Sequence, residues 1–175
     1  MIENRIKASV RDIKDFPKPG IVFKDITTIL KDPVLCADIV TAMREQLGGL
    51  RVDAVAGIES RGFFFGLQLA QAMGVPFVPI RKAGKLPYKT IVESYDLEYG
   101  SAVIECHEDA LTVGQHVLIH DDLLATGGTV VAATKLIEQL GAKVAAYSFV
   151  ISLEFLNGRE RLGPYSDKIF SLASY

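Results

Sequence analysis

The sequence predicts one α/β domain, a twisted and mainly parallel sheet flanked by helices, and three observations carry that prediction. Short apolar runs of strand length alternate with helical stretches along most of the chain. The strand runs are near-continuously apolar, as in sheets covered on both faces. The length of 175 residues suffices for one well-buried core and is tight for two.

Each element has its own local signal. Ile2, Ile6, Val10 and Ile13 repeat at helical spacing and predict an N-terminal helix that ends before the Pro17-Lys18-Pro19-Gly20 turn. Asp32-Pro33 opens a second helix, with Leu35, Ile39, Met43 and Leu47 on one stripe and Gly48-Gly49 as its stop. Val52 to Ile58 reads as a short buried strand. Ser60 is placed to cap a helix running through Phe63, Leu67, Ala70 and Met73 to Gly74, and Val75 to Ile80 follows as a strand, completing a βαβ unit. Residues 81–100 have no settled period and are rich in charge, Gly and Tyr. They read as a long excursion, a ragged hairpin closing with Ala102 to Cys106, and the length of this irregular stretch marks it as a lid. The parallel pattern resumes at His116 with the strand HVLIHD, a helix from Gly128 to Leu140 stopped by Gly141, and a strand from Lys143 to Ser152. A short helix near Glu154 to Arg161 and a last strand around Ile169 to Leu172 finish the chain. There are no internal repeats, and one domain over residues 1–175 is expected.

Composition excludes several classes. Nineteen Lys+Arg against 21 Asp+Glu give a net charge of −2, which disfavours nucleic acid or an anionic membrane as the main partner. Cys36 and Cys106 form no disulfide framework and no zinc spacing, and suit a reducing cytoplasm. The first residues carry Glu3, Arg5, Lys7, Arg11 and Asp12 and no apolar segment, so no signal peptide is expected. Gly62 to Ile80 lacks charge but contains Gln68, Gln71, Pro76 and Pro79, and divides into a helix and a strand instead of one membrane span. His107, His116 and His120 are too scattered to be a metal set, and His120, on a buried strand, reads as a satisfied core residue.

The stretch Val117 to Thr129, VLIHDDLLATGGT, concentrates the chemistry. Gly127 and Gly128 allow a tight turn that aims backbone N–H groups outward, Thr126 and Thr129 add hydroxyls, and a helix start contributes partial positive charge. Together they make a cradle for one phosphate monoester. Asp121 and Asp122 are acceptors suited to vicinal sugar hydroxyls or to a hydrated divalent cation. An Asp pair or a Gly-Gly alone marks only a turn and a helix cap; both at one strand-to-helix junction point to a ribose 5-phosphate. Walker A and the dinucleotide GxGxxG are both absent from the chain.

This segment resembles the phosphoribosyl pyrophosphate (PRPP) motif of type I phosphoribosyltransferases. The resemblance continues through FPKPGIVFKDITTILKDP (Phe16 to Pro33), AGIESRGFFFG (Ala56 to Gly66), IRKAGKLP (Ile80 to Pro87) and LEYG (Leu97 to Gly100). It implies that family's fold, with a small N-terminal hood over approximately residues 1–33 and a lid over approximately 82–106. The implied reaction moves 5-phosphoribosyl from PRPP to adenine with Mg²⁺, giving AMP and pyrophosphate for purine salvage in a cytoplasmic homodimer.

The resemblance also implies roles. Ala125, Thr126, Gly127, Gly128 and Thr129 hold the 5′-phosphate, and Asp121 and Asp122 the ribose 2′ and 3′ hydroxyls. Arg61 faces pyrophosphate, with Arg81, Lys82 and Lys85 as further cations, some of them acting across a dimer interface; taken alone, each is also an ordinary solvated base. Val22, Phe23 and Lys24 lie nearest the base, with Phe23 stacking on it, Leu123 closing the other face, and one backbone C=O and N–H reading the amino group and N1. Phe23 as a plain core residue is the alternative. Glu98, with Tyr99, handles the purine proton, and Glu93, Asp96 and Glu105 are competitors that the residues alone do not exclude. Mg²⁺ has no direct protein ligand and is held through PRPP and water. Lys24 and Glu59 stand where relatives often carry Arg and Asp, with the charge kept.

Other readings remain open at this point: another purine such as xanthine, a PRPP-sensing regulator, or a flavodoxin-like phosphate binder. Charge is also segregated. Ser60 to Val92 carries Arg61, Arg81, Lys82, Lys85 and Lys89 and no acid, while Glu93 to Thr134 carries eight acids and no Lys or Arg. A polyanionic substrate with its metal would draw both blocks to one pocket.

Overall fold

Two sheets of unequal size organise the chain; the computed structural model describes residues 1–96 and 100–175. The large sheet has seven strands: β3 (Ala54–Ile58), β4 (Phe77–Lys82), β5 (Thr90–Asp96), β6 (Ser101–His107), β7 (His116–Leu124), β8 (Lys143–Ser152) and β9 (Ile169–Ser174). Their spatial order is β5-β6-β4-β3-β7-β8-β9. β4, β3, β7, β8 and β9 run parallel, while β5 and β6 form an antiparallel hairpin whose β6 pairs antiparallel with β4. The expected ragged excursion is therefore regular at its core, with seven residue pairs from Thr90↔His107 to Asp96↔Ser101.

The small sheet pairs β1 (Arg11–Lys14) with β2 (Val22–Asp25). This corrects the long N-terminal helix: α1 spans only Ile2–Ser9, its end bonded by the Val10 N–H to the Ile6 carbonyl. The chain then turns into the ribbon because Asp25, 8% exposed, accepts two bonds from Arg11 at 2.7 and 3.2 Å. Hydrogen bonds from Thr27, together with the Arg11 guanidinium, hold the Asp25 carboxyl down at about 2. A 3-10 turn over Ile26–Lys31 leads to α2 (Pro33–Leu47), capped as expected by the Asp32 carboxylate accepting from the Val34 and Leu35 N–H groups.

Helices cover both faces. Ile39 and Met43 of α2, Phe65 and Leu69 of α3 (Gly62–Met73), and Ile6, Ile26 and Ile29 pack with Val55 and Leu118 on one side. Val130, Leu136 and Ile137 of α4 (Gly128–Gln139) pack with Ala56, Ile119, Tyr147 and Phe149 on the other, joined by Leu162 of α5 (Gly158–Leu162). Adjacent strand residues divide between the two cores, as alternation requires. Among the described residues no helix is long and apolar enough to cross a membrane.

The order β4-β3-β7-β8 contains a switch point. The β3-α3-β4 crossover leads to one side of β3, and β7-α4-β8 leads to the other side of β7. The chains leaving β3 and β7 diverge and open a crevice beyond their carboxyl ends, where ligands bind in open α/β sheets.

Candidate active site

That crevice collects both charged blocks. Glu59, Ser60 and Arg61 from the end of β3, Lys82 from the end of β4, and Asp121 and Asp122 from β7 line a cavity of about 260 Å³. Ser60 lines this cavity instead of capping α3, which has no side-chain cap. The first turn of α3 is pressed against β7, and a Cβ on Gly62 would stand 2.9 Å from Asp121 Oδ1. Asp122, 4% exposed at its side chain, accepts from Arg61 Nε at 2.7 Å. Asp121 Oδ1 accepts from the Asp122 N–H at 2.8 Å. Burial first, then the charge of Asp122, pushes the Asp121 carboxyl well above the usual carboxylate range, against the pull of Arg61.

A second cavity, of about 80 Å³, is lined by Asp121, Leu123 and every residue from Ala125 to Val130. Gly127 has φ +80° and no side-chain bond caps α4, so its first-turn N–H groups lack a capping partner in the same residues that line the cavity. Its size suits one phosphate group. Arg161, which sequence reasoning missed, stands beside this loop, with Nη1 3.2 Å from where a Cβ on Gly128 would lie. Nothing in the sequence links a basic residue on a late short helix to a loop so far upstream.

Arg61 also links the Asp121/Asp122 crevice to the N-terminal ribbon, because its Cζ lies 5.2 Å from the centroid of the Phe23 ring. Phe23 is further held edge-on by Phe16, centroids 5.2 Å apart. Strand alternation puts Val22 and Lys24 on the opposite face of β2 from Phe23. The Lys24 ammonium is committed to Asp12 at 2.7 Å and to the Tyr175 ring at 4.1 Å. What Val22 and Lys24 can offer a base is therefore backbone, and among the described residues β2 pairs with β1 alone, on one edge. Leu123 is partly buried against the α2/α3 core and lines the phosphate cavity.

The remaining cations are arranged unevenly. Arg81 donates to Glu59 Oε2 at 3.1 Å and to the Lys85 carbonyl at 3.1 Å, while the Lys85 side chain is exposed and does not line the cavity. Glu98 and Tyr99 lie outside the described residues. Of their competitors, Glu93 pairs with Lys135 at 3.1 Å and accepts from Gln139 at 2.9 Å. Glu105 takes two backbone N–H groups and a hydroxyl. Burial alone would push the Glu105 carboxyl up, but backbone N–H bonds from the loop, led by Leu86 and then Lys85, hold it below its usual range. The expectation for His120 is corrected: the ring is fully buried, yet among the described residues neither nitrogen makes a hydrogen bond of good geometry. Burial drives it down to about 4, so it is neutral at physiological pH.

A glycine-turned strand-to-helix junction beside paired carboxylates, at the switch point of a parallel sheet, is the arrangement expected of a phosphoribosyl-binding enzyme, and comparison with known proteins shows the family. Residues 25–171 match the phosphoribosyl transferase domain family, and the chain belongs to it. The most similar relatives carry one name. Adenine phosphoribosyltransferase of Cytophaga hutchinsonii is 54% identical over 175 residues, covering 100% of this chain and 97% of that protein. The same enzyme of Nitrosococcus oceani is 52% identical over 171 residues, covering 98% and 99%. The crystal structure of adenine phosphoribosyltransferase from Thermoanaerobacter pseudethanolicus superposes with a TM-score of 0.96 at 47% identity, covering 100% of both chains. That from Saccharomyces cerevisiae, complexed with an imino-altritol bisphosphate and adenine, superposes with a TM-score of 0.91 at 40% identity, covering 98% of both.

Proposed function

We infer that the chain is an adenine phosphoribosyltransferase, a pentosyltransferase that converts adenine and PRPP into AMP and pyrophosphate. The observation that carries the chemical reading is the crevice where Arg61 and Lys82 meet Asp121 and Asp122 next to the uncapped start of α4. The N–H groups of Ala125 to Thr129 take the 5′-phosphate, and Asp121 and Asp122 accept from the ribose hydroxyls. Arg61 exchanges its bond with Asp122 for one with pyrophosphate, helped by Arg81, Lys82 and Lys85. The base lies between Phe23 and Leu123, and the β2 backbone near Val22 to Lys24 supplies the acceptor and donor that distinguish adenine from a 6-oxopurine.

The transferred sugar carries oxocarbenium character, so the site works by charge placement and dryness more than by nucleophilic power. In this reading the β5-β6 hairpin serves as the lid that keeps water from the reacting sugar, and Glu98, with Tyr99 beside it, handles the purine proton. Asp121 and Asp122 offer oxygen ligands suited to a hydrated Mg²⁺ arriving on PRPP; among the described residues no three His, Cys, Asp or Glu side chains form a metal cage. When bound, Mg²⁺ neutralises charge on the departing pyrophosphate.

The active unit is a homodimer. Phe64 and Leu67, 41% and 47% exposed on one face of α3, are apolar surface for a second copy beside the site. Both cysteines are free, in keeping with a cytoplasmic enzyme.

The deciding experiment is a purine panel. Pyrophosphate release from PRPP is expected with adenine and Mg²⁺ and not with hypoxanthine, guanine or xanthine; release with one of those in place of adenine overturns the base assignment. Glu98→Ala is expected to lower kcat about a hundredfold, in line with general acid–base contributions, with the KM for PRPP little changed. An unaltered kcat removes Glu98 from the mechanism.

A further inference from the structure

Glu105 sits on β6 opposite Arg81 of β4 and Val92 of β5, at the root of the hairpin. It is a carboxylate only 4% exposed, and its bonds are to backbone N–H groups and a hydroxyl. Its Oε1 accepts from the Lys85 and Leu86 N–H groups, both at 2.8 Å, and its Oε2 from the Thr90 hydroxyl at 3.2 Å. It therefore gathers the loop 83–89, the segment that follows Arg81 and Lys82 and contains Lys85. That loop hands the constraint on, since the Lys85 carbonyl accepts from Arg81 Nη1 at 3.1 Å. At the other end of the same guanidinium, Glu59 Oε2 accepts from Arg81 Nε at 3.1 Å and from the Lys82 N–H at 3.0 Å. The Arg81 fork is thus pinned on two sides, and the second pin depends on the loop that Glu105 holds.

We propose that Glu105 is a positioning residue for PRPP binding, fixing loop 83–89 so that Arg81 is presented in one orientation to the pyrophosphate group. The proposal rests on the reading of that cation given above. A carboxylate near a polyanion would by charge alone weaken binding, so a geometric role and an electrostatic one predict opposite signs. Removing Glu105 frees two backbone N–H groups, lets the loop leave its turn, and weakens PRPP binding. If its charge were what mattered, removal would tighten it.

The test is a double-mutant cycle in steady-state kinetics on the full-length protein. Glu105→Ala is expected to raise the KM for PRPP about tenfold with the KM for adenine within about twofold, because only the pyrophosphate side is loosened. Combined with Arg81→Ala it should add almost nothing to the effect of Arg81→Ala alone, since residues acting through one another are not additive. Glu105→Gln, whose amide oxygen can still accept from Lys85 and Leu86, should recover the PRPP KM to within about threefold of the parent. Thermal melts show whether each variant is folded. If Glu105→Ala is not, Glu105→Asp takes its place in the cycle, being too short to reach both N–H groups. An unchanged or lowered PRPP KM on removing Glu105, an effect fully additive with Arg81→Ala, or no recovery in Glu105→Gln overturns the proposal alone. An unchanged PRPP KM in Arg81→Ala overturns the underlying reading of the cations, and the proposal with it.

Discussion

The double variant Asp121→Asn with Asp122→Asn is expected to lose about tenfold to several hundredfold in kcat/KM for PRPP while melting no lower than the parent near neutral pH. Hydrogen bonds to charged groups contribute about 1.5–3 kcal/mol each, against about 1 for neutral pairs, so neutralising both diol acceptors removes roughly 1–4 kcal/mol of binding. The stability half follows from Asp121. Its carboxyl is raised in the folded protein by burial and by Asp122. Between its ordinary value of 3.8 and its raised value in the fold, the folded state binds more protons than the unfolded one, so stability falls as pH rises through that window. Near pH 7 the destabilisation is present, and Asn removes it. Arg61 loses a partner but keeps 36% of its side chain exposed, so water can solvate it. Melting the single Asp121→Asn variant at about pH 5 and about pH 8 checks the sign: the gain over the parent should be larger at the higher pH. A loss there would mean that the charged form of Asp121 stabilises the fold.

Gly158→Ala is expected to raise the KM for PRPP about tenfold and to lower the melting temperature by about 4 °C or more. A Cβ at this position would run into the Ala125 carbonyl oxygen and stand 2.9 Å from Leu124 Cδ1. Ala125 opens the phosphate cradle, so the strain falls on the loop whose N–H groups must converge. Overpacking of this kind costs about 1–3 kcal/mol, and 1 kcal/mol moves the melting point of a chain this size by about 2–4 °C. Gly163→Ala is the matched control. Its nearest neighbour would be the Glu160 carbonyl oxygen at 3.5 Å, an ordinary contact, and neither readout should move. Equal kinetics in both variants would show that the cradle tolerates displacement.

Much of this architecture was legible in the residues. Asp32-Pro33 marked the start of α2 because capping is local chemistry, and Lys143 to Ser152 was readable as β8 because a strand buried on both faces needs continuous apolar sequence. The crevice was legible through Val117 to Thr129, where turn, cap and carboxylates lie within one short stretch. The misreadings have physical causes. Ile13 fits both a helical repeat and a strand, and what decides for β1 is the bond from Arg11 to Asp25, a contact between separate stretches of chain. The hairpin lacked a clean period because β5 is an edge strand, with Glu93 committed to α4 and Val92 left 53% exposed. Glu105 read as one acid among several because its partners are backbone N–H groups, which leave no mark on residue identity. The approach of Arg61 to Phe23 is a product of topology and has no local signature.

The two-sheet construction has a consequence for how such an enzyme diversifies. Everything assigned to the phosphoribosyl donor leaves the ends of three neighbouring strands of the large sheet, β4, β3 and β7, whereas Val22, Phe23 and Lys24, assigned to one face and the edge of the acceptor base, sit on β2 of the separate ribbon, with Leu123 of β7 on the other face. Donor chemistry and most of acceptor choice are thus encoded in different modules of the chain. Evolution could retune the ribbon toward a new base while the inherited donor machinery stays untouched, and exchanging residues 11–25 is the natural unit for doing the same by design.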